Sequence, residues 1–110
     1  MLQSKAIALA AALAGWMLLG APAGAQSPAA QRGLVFVRVH CAQCHAIDAV
    51  SDSPIKLATP FRELYRKYPI DDLRRPLSEG TVSNHPTMPQ FRLEPDQLND
   101  VIAYLKSFER

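Results

Sequence analysis

Cys41-Ala42-Gln43-Cys44-His45 is the stretch of sequence that decides how this chain folds. On a helix, residues i, i+3 and i+4 lie on one face, so both thiols and the imidazole are expected to point toward one flat ligand. The chain has only these two cysteines. A disulfide between residues three apart would close almost no loop and would add little stability. The pair therefore calls for a chemical explanation beyond the stability that a disulfide would add.

This spacing is the attachment motif of a c-type haem. Cys41 and Cys44 are predicted to bind the porphyrin vinyl groups as thioethers, and His45 is predicted to bind the iron. Three other interpretations remain. A thioredoxin-type dithiol needs a βαβ context that the sequence lacks. A zinc site would need further ligands, for which only His40 and His85 are available. A plain disulfide is the third, in an oxidising compartment.

The opposite side of the iron needs a ligand or an open position, and Met88, His85 and His40 are the candidates. Met88 is preferred because it and His85 both precede a proline, which makes this loop stiff and limits the cost of ordering it. Methionine often fills gaps in cores, but a polar, proline-bounded loop is a poor core position. His85 is the rival ligand. His40 lies about 100° around the helix from Cys41 and is expected at the surface or in packing.

Residues 1–25 have the layout of a secretory signal peptide. A basic residue precedes an apolar run over residues 6–19, and residues 23–25 (Ala-Gly-Ala) match the positions that a signal peptidase reads. Cleavage is expected before Gln26, leaving one domain over residues 26–110. An uncleaved membrane anchor is the alternative, since about 20 apolar residues span a bilayer. Because haem attachment takes place outside the cytoplasm, both signals predict a periplasmic protein without stable membrane insertion.

Composition excludes several classes of protein. The 110 residues are 20% charged and 48% hydrophobic, which argues against a disordered chain. A net charge of +2 is too small to indicate nucleic-acid binding. A domain of this size usually needs a covalent or bound group to complete its core.

Apolar periodicity and capping residues predict several short helices and no strand. The predicted helices are residues 31–45, a short helix after an N-cap at Thr59 that Pro69 ends, residues 71–79 with a kink or a short first turn at Pro76, and a last helix that Pro95 opens. Gly80 is expected to close the third of these. Residues 81–93 are predicted to form a loop.

These residues resemble class I cytochrome c in its short bacterial monohaem form, over essentially all of residues 31–108. Three parts carry the resemblance: residues 33–36 leading into the cysteine motif at 41–45, the Met-Pro loop at 88–89, and the closing helix at 100–106. The resemblance implies an all-α fold with four or five short helices wrapped around one covalently attached haem c.

The resemblance also implies two contacts. The first and last helices are expected to cross at Gly33, against Val101 and Tyr104, because a residue without Cβ lets two backbones approach. The ligating imidazole is expected to donate to a proline carbonyl in the following loop, with Pro54 the nearest candidate and Pro60 the next.

An iron bound by His45 and Met88 has no open position for a substrate. The expected function is therefore a one-electron carrier and not an enzyme, shuttling electrons between respiratory or photosynthetic redox proteins. A dedicated electron-transfer subunit of a periplasmic dehydrogenase is one alternative. A haem sensor or peroxidase, in which Met88 leaves the iron, is another. Four aromatic side chains are expected to pack around the haem and keep water off the iron: Phe36, Phe61, Phe91 and Tyr104.

The expected partners are redox proteins that dock briefly on a monomer through a small interface. Basic residues between positions 62 and 75 form a group that can steer an acidic partner, although a solvated surface is the other interpretation. This group consists of Arg62, Arg66, Lys67, Arg74 and Arg75.

Overall fold

A computed structural model describes residues 26–80 and 88–110 of the chain. Its elements are α1 (Pro28–His40), α2 (Phe61–Lys67), a 3₁₀ helix (Ile70–Leu73), α3 (Arg74–Glu79) and α4 (Pro95–Lys106). These described residues contain no strand, which confirms the predicted all-α fold of four or five short helices. None of the described helices has the length and apolar character needed to cross a bilayer. The predicted signal peptide and His85 lie outside the described residues.

The start of α1 is set by local capping. Ser27 is the N-cap, and its hydroxyl accepts a hydrogen bond from the backbone N–H of Ala30 (3.1 Å). Pro28 occupies the first turn, where a missing N–H costs no helical hydrogen bond. The helix therefore begins three residues before the predicted start at Gln31.

The end of α1 differs from the prediction. The helix ends at His40, and the cysteine motif continues as hydrogen-bonded turns. The N–H of His45 donates to the Cys41 carbonyl (3.0 Å), whereas the Cys44 carbonyl accepts from Ile55 in the following loop (3.2 Å). The expectation that the motif is part of the helix is therefore wrong, because the chain leaves the helical path to pair with that loop.

Helices α1 and α4 cross at close range beside Gly33. A Cβ on Gly33 would lie 2.8 Å from the Cβ of Tyr104 and nearer still to the carbonyl oxygen of Asp100. Only glycine fits this contact, as predicted. Tyr104 is confirmed as a neighbour, and the backbone of Asp100 is the other group that lies against Gly33. Two parallel hydrogen bonds from Arg32 to the Asp100 carboxylate (both 3.0 Å) lie beside the crossing.

The core is built on the apolar stripe of α4, which begins at Pro95 as predicted. The predicted members of the stripe are Leu98, Val101, Ile102, Leu105 and Phe108. Of these, Val101, Ile102 and Leu105 are buried, and the other two pack at the edge of the core. Val37 of α1 and Ile70 of the 3₁₀ helix are fully buried against them. This arrangement leaves the far side of the core open to the cavity described below.

The segment over residues 70–79 contains two helices where one was predicted. The change from 3₁₀ to α-helix falls between Leu73 and Arg74, so Pro76 lies in the first turn of α3, where a kink or a short first turn was expected. Pro76 is the third residue of α3, where its N–H would have no helical acceptor, so it disturbs nothing. Gly80 ends α3 with φ of 74°, in the left-handed region, which confirms its predicted role.

Candidate functional site

A cavity of about 410 Å³ opens beside the core, between α1, α2, α3, α4 and the segment over residues 88–93. Its volume lies in the range of small-molecule and cofactor sites. Apolar side chains form most of its walls, among them Phe36, Phe61, Leu64, Phe91, Val101 and Leu105. The polar groups that reach it are few, which is typical of a site that holds a large apolar ligand in one orientation.

One of the two cysteines lies at the edge of this cavity. Both are half-buried free thiols, and Cys41 lines the cavity wall, whereas Cys44 lies in the turn that follows α1 and is not among the lining residues. Burial raises the pKa of the Cys41 thiol to about 11, with a smaller contribution from Cys44. A thioredoxin-type dithiol needs a lowered thiol pKa. The environment of the pair therefore argues against that alternative.

His45 lines the cavity in one defined tautomer. Its Nδ1 lies 2.7 Å from the backbone carbonyl oxygen of Thr59. A carbonyl only accepts hydrogen bonds, so Nδ1 carries the proton and Nε2 keeps its lone pair for a metal. The ring also packs against Phe61, with centroids 5.2 Å apart. The bond to Thr59 fixes the plane of the imidazole.

The carbonyl partner of His45 differs from the expectation, because it belongs to neither Pro54 nor Pro60. Thr59 is not the N-cap of α2 either, since the N-cap is Pro60 and the helix begins at Phe61. The Thr59 carbonyl adjoins a proline and lies outside the helix, so it is free to accept from the imidazole. The residue before a proline is held in an extended conformation, which keeps Thr59 out of the helix.

The loop after His45 is held by hydrogen bonds at both ends. Ala46 donates to the hydroxyl of Ser53 (2.9 Å) and accepts from the N–H of Phe61 (2.9 Å). The hydroxyl of Tyr104 donates to the carbonyl of Ile47. These contacts connect the loop to itself, to α2 and to α4, so that the imidazole rests on an ordered support.

Asp48 caps the tip of the same loop. Its carboxylate accepts from the backbone N–H groups of Val50 (2.8 Å) and Ser51 (2.6 Å) and from the Ser51 hydroxyl (2.6 Å). These hydrogen bonds stabilise the charged form and lower the pKa of Asp48 to about 2. The carboxylate therefore stabilises the turn at neutral pH.

Met88 also lines the cavity and is half-buried. The structure thus brings it to the same cavity as His45, 43 positions earlier in the sequence. The rival ligand, His85, lies outside the described residues. Beyond Met88, the chain is tied to α3 by a hydrogen bond from the Leu93 N–H to the Leu77 carbonyl (2.9 Å).

The aromatic residues divide into two groups. Phe36, Phe61 and Phe91 line the cavity as predicted, but Tyr104 does not, because it turns toward Ile47 and packs edge-on against Phe108. The expectation for Tyr104 was therefore wrong. His40 is exposed and packs on Phe36 with ring centroids 4.4 Å apart, in the packing role expected for it.

The five basic residues of positions 62–75 all make contacts with their own chain. Arg62 donates to the Ser51 carbonyl, and Arg66 and Lys67 to the hydroxyls of Tyr65 and Thr59. Arg74 and Arg75 form ion pairs with Asp71 and Glu79. The group is spread over two helices, and the two ion pairs reduce its net positive charge.

The cavity and its donor groups fit a haem. Its walls are largely apolar, a thiol lies at its edge, and an imidazole with a fixed tautomer and a thioether reach the same space. Imidazole and thioether are ligands that haem iron accepts in electron carriers.

No curated protein and no solved structure matches this chain at a significant level. A family model described as Cytochrome c matches residues 30–109, which is most of the chain and includes every candidate site residue. The spacing of Cys41 and Cys44 agrees with the haem-attachment motif of that family. The chain therefore belongs to the cytochrome c family, whose members bind a covalent haem c and transfer electrons through it.

Proposed function

We propose that this protein is a periplasmic one-electron carrier with one haem c attached to Cys41 and Cys44, and with His45 and Met88 as its axial ligands. The observation that carries the proposal is that His45 and Met88 line one cavity while the Thr59 carbonyl orients the imidazole. When bound, the haem supplies the reversible one-electron chemistry of its iron. The protein holds that group, orients its ligands and limits the access of water.

The two axial ligands have different effects on the iron. A thioether favours the ferrous form and raises the reduction potential relative to a second imidazole. The Thr59 contact makes the imidazole of His45 a better electron donor, which favours the ferric form. Apolar walls around the iron exclude water and add to the effect of Met88. With His45 and Met88 both bound, the iron has both ligand positions filled, as a carrier requires, whereas an enzyme needs an open position.

Export and partners belong to the same proposal. Residues 1–25 act as a cleaved signal peptide, and the haem is attached outside the cytoplasm. The protein is then a monomer that docks briefly on redox proteins and does not insert stably in the membrane. Since Arg74 and Arg75 are already paired, Arg62, Arg66 and Lys67 on α2 are the basic residues best suited to steer an acidic partner.

The test compares two variants of the mature haem-loaded protein, Met88→Ala and His85→Ala. Ferric haem with thioether ligation has a weak near-infrared absorption band, which we expect in the wild type and in His85→Ala but not in Met88→Ala. Met88→Ala is also expected to bind carbon monoxide rapidly when reduced, because its iron has an open position. Persistence of the band in Met88→Ala would disprove the axial assignment. Rapid carbon monoxide binding by the wild type would favour a sensor or peroxidase.

A further inference from the structure

Thr59 makes two side-by-side contacts that connect His45 to the protein surface. Its backbone carbonyl accepts from Nδ1 of His45 (2.7 Å), and its hydroxyl lies 3.1 Å from the ammonium nitrogen of Lys67. Both contacts belong to one residue, so the positive charge of Lys67 lies close to the acceptor that orients the imidazole. A proline, the residue expected to supply this carbonyl, has no hydroxyl to make such a link.

The course of the Lys67 side chain is unusual for its position. Lys67 is the last residue of α2, where an ammonium group normally interacts with the C-terminal carbonyls of its own helix. Here its amine instead reaches Thr59, just before the first turn of the helix. Arg66, the neighbouring cation, donates to the Tyr65 hydroxyl, and none of its hydrogen bonds in the described part of the chain is to Thr59.

A cation in this place has two effects on an iron bound by His45. It withdraws electron density from the Thr59 carbonyl, which weakens the hydrogen bond from Nδ1 and makes the imidazole a poorer donor. It also acts directly on the iron, because the ferric form carries one more positive charge than the ferrous form. Both effects disfavour the ferric form, so both raise the reduction potential.

We propose that Lys67 is a positioning residue that acts through Thr59 on His45 and raises the reduction potential of the haem. The inference rests on the proposed function, in that it takes His45 as an iron ligand, but it does not depend on which residue is the second ligand. An exposed contact such as that between Lys67 and Thr59 contributes little to folding stability. The expected effect is therefore on the potential, with little effect on thermal unfolding.

The test measures the reduction potential of the haem-loaded protein at one fixed, moderate ionic strength, because salt screens surface charges. Lys67→Gln is expected to shift the potential downward. Arg66→Gln removes the same charge from the same helix turn and is expected to give a smaller downward shift. Lys67→Arg, which keeps the charge and can donate, is expected to retain most of the wild-type potential.

Thr59→Val removes the hydroxyl that Lys67 contacts but keeps the backbone carbonyl and the charge of Lys67. It therefore tests the contact between Lys67 and Thr59 separately from the charge itself. It is expected to lower the potential, and the double variant with Lys67→Gln is expected to shift no further than Lys67→Gln alone. The hyperfine-shifted proton resonances of the His45 ring should move in Lys67→Gln and in Thr59→Val, and should stay in place in Arg66→Gln.

Two results would overturn the inference. Equal shifts in Lys67→Gln and Arg66→Gln would mean that Lys67 acts only as a surface charge, and additive shifts in the double variant would mean that Thr59 does not transmit its effect. Absence of the near-infrared band from the wild type would instead contradict the Met88 assignment, and the comparison of Lys67 and Thr59 variants would still test this inference.

Discussion

The two sides of the cavity are supported in different ways. On the His45 side, a network of hydrogen bonds holds the loop, with Thr59, Ser53 and Phe61 among its partners. On the Met88 side, the described contacts are mainly apolar, and the hydrogen bond from Leu93 to Leu77 lies five residues beyond the thioether. Hydrogen bonds within the protein thus orient the imidazole, while the thioether depends on packing.

This difference predicts separate consequences for mutations on each side. Changes on the His45 side should alter the stability of the loop and the potential of the iron without releasing a ligand. Changes on the Met88 side should make the sixth ligand easier to displace. The α1–α4 crossing supports both sides, so its disruption should affect them together.

The largest effect is expected for Gly33→Leu. The side chain would overlap the backbone of Asp100, so the helices must separate, which we expect to cost about 3 kcal/mol or more in free energy of unfolding. Thermal and denaturant unfolding of the haem-loaded protein measure this cost. Val35→Leu, on the exposed side of α1, is the control and should change stability by less than about 0.5 kcal/mol. Equal unfolding curves for Gly33→Leu and the wild type would contradict the close crossing.

The next effect is expected for Phe91→Ala on the Met88 side. This half-buried ring lines the cavity and also faces His40, so its loss should cost about 2 kcal/mol of stability. It should also increase the rate at which cyanide binds the ferric protein, because the thioether must leave first. Stopped-flow mixing measures that rate. An unchanged rate would mean that Met88 is held by something other than this packing.

A smaller effect is expected for Ser53→Ala on the His45 side. The substitution removes the acceptor of the Ala46 N–H and should cost about 1 kcal/mol. The cyanide-binding rate should stay at the wild-type value, in contrast to Phe91→Ala. Ser78→Ala, which removes an exposed hydroxyl bonded to the Arg75 carbonyl, is the control for loss of a serine. Faster cyanide binding in Ser53→Ala would remove the distinction between the two sides.

The smallest effect is a pH dependence that arises from Asp48. Its pKa is about 2 in the folded protein and 3.8 in an unperturbed carboxyl group, so its contribution to stability is fully present above about pH 4. That contribution is lost as the pH falls from about 4 through about 2. Asp48→Asn should flatten the fall in stability over this window, as measured by denaturant unfolding at several pH values. An unchanged fall in Asp48→Asn would contradict this role of the carboxylate.

Much of the fold follows from local patterns. The apolar stripe of α4, the proline that opens it and the glycine that ends α3 act within one or two helical turns, so their roles are readable from neighbouring residues. The end of α1 is different. It depends on a hydrogen bond between Cys44 and Ile55, and a loop that pairs with a helix terminus leaves no periodic signal.

Part of the site could also be predicted from local patterns, as part of the fold could. Cys41, Cys44 and His45 belong to one short motif, and the two prolines near Met88 mark its loop as stiff. Thr59 was missed because its contribution is a backbone carbonyl, which every residue type carries. Tyr104 was misplaced because an aromatic residue on an apolar stripe can face either the cavity or the loop, and its hydroxyl needed the Ile47 carbonyl.

The resemblance to class I cytochrome c implied the glycine at the helix crossing, whereas the sequence by itself determined the all-α class and the haem-attachment motif. These depend on residue types at short spacing, where chain geometry leaves few choices. Only the tertiary structure decided which carbonyl orients His45, which charge lies behind that carbonyl and which aromatic rings face the cavity. Those contacts join residues distant in the chain, and they form only when folding buries enough apolar surface to hold the separate segments together.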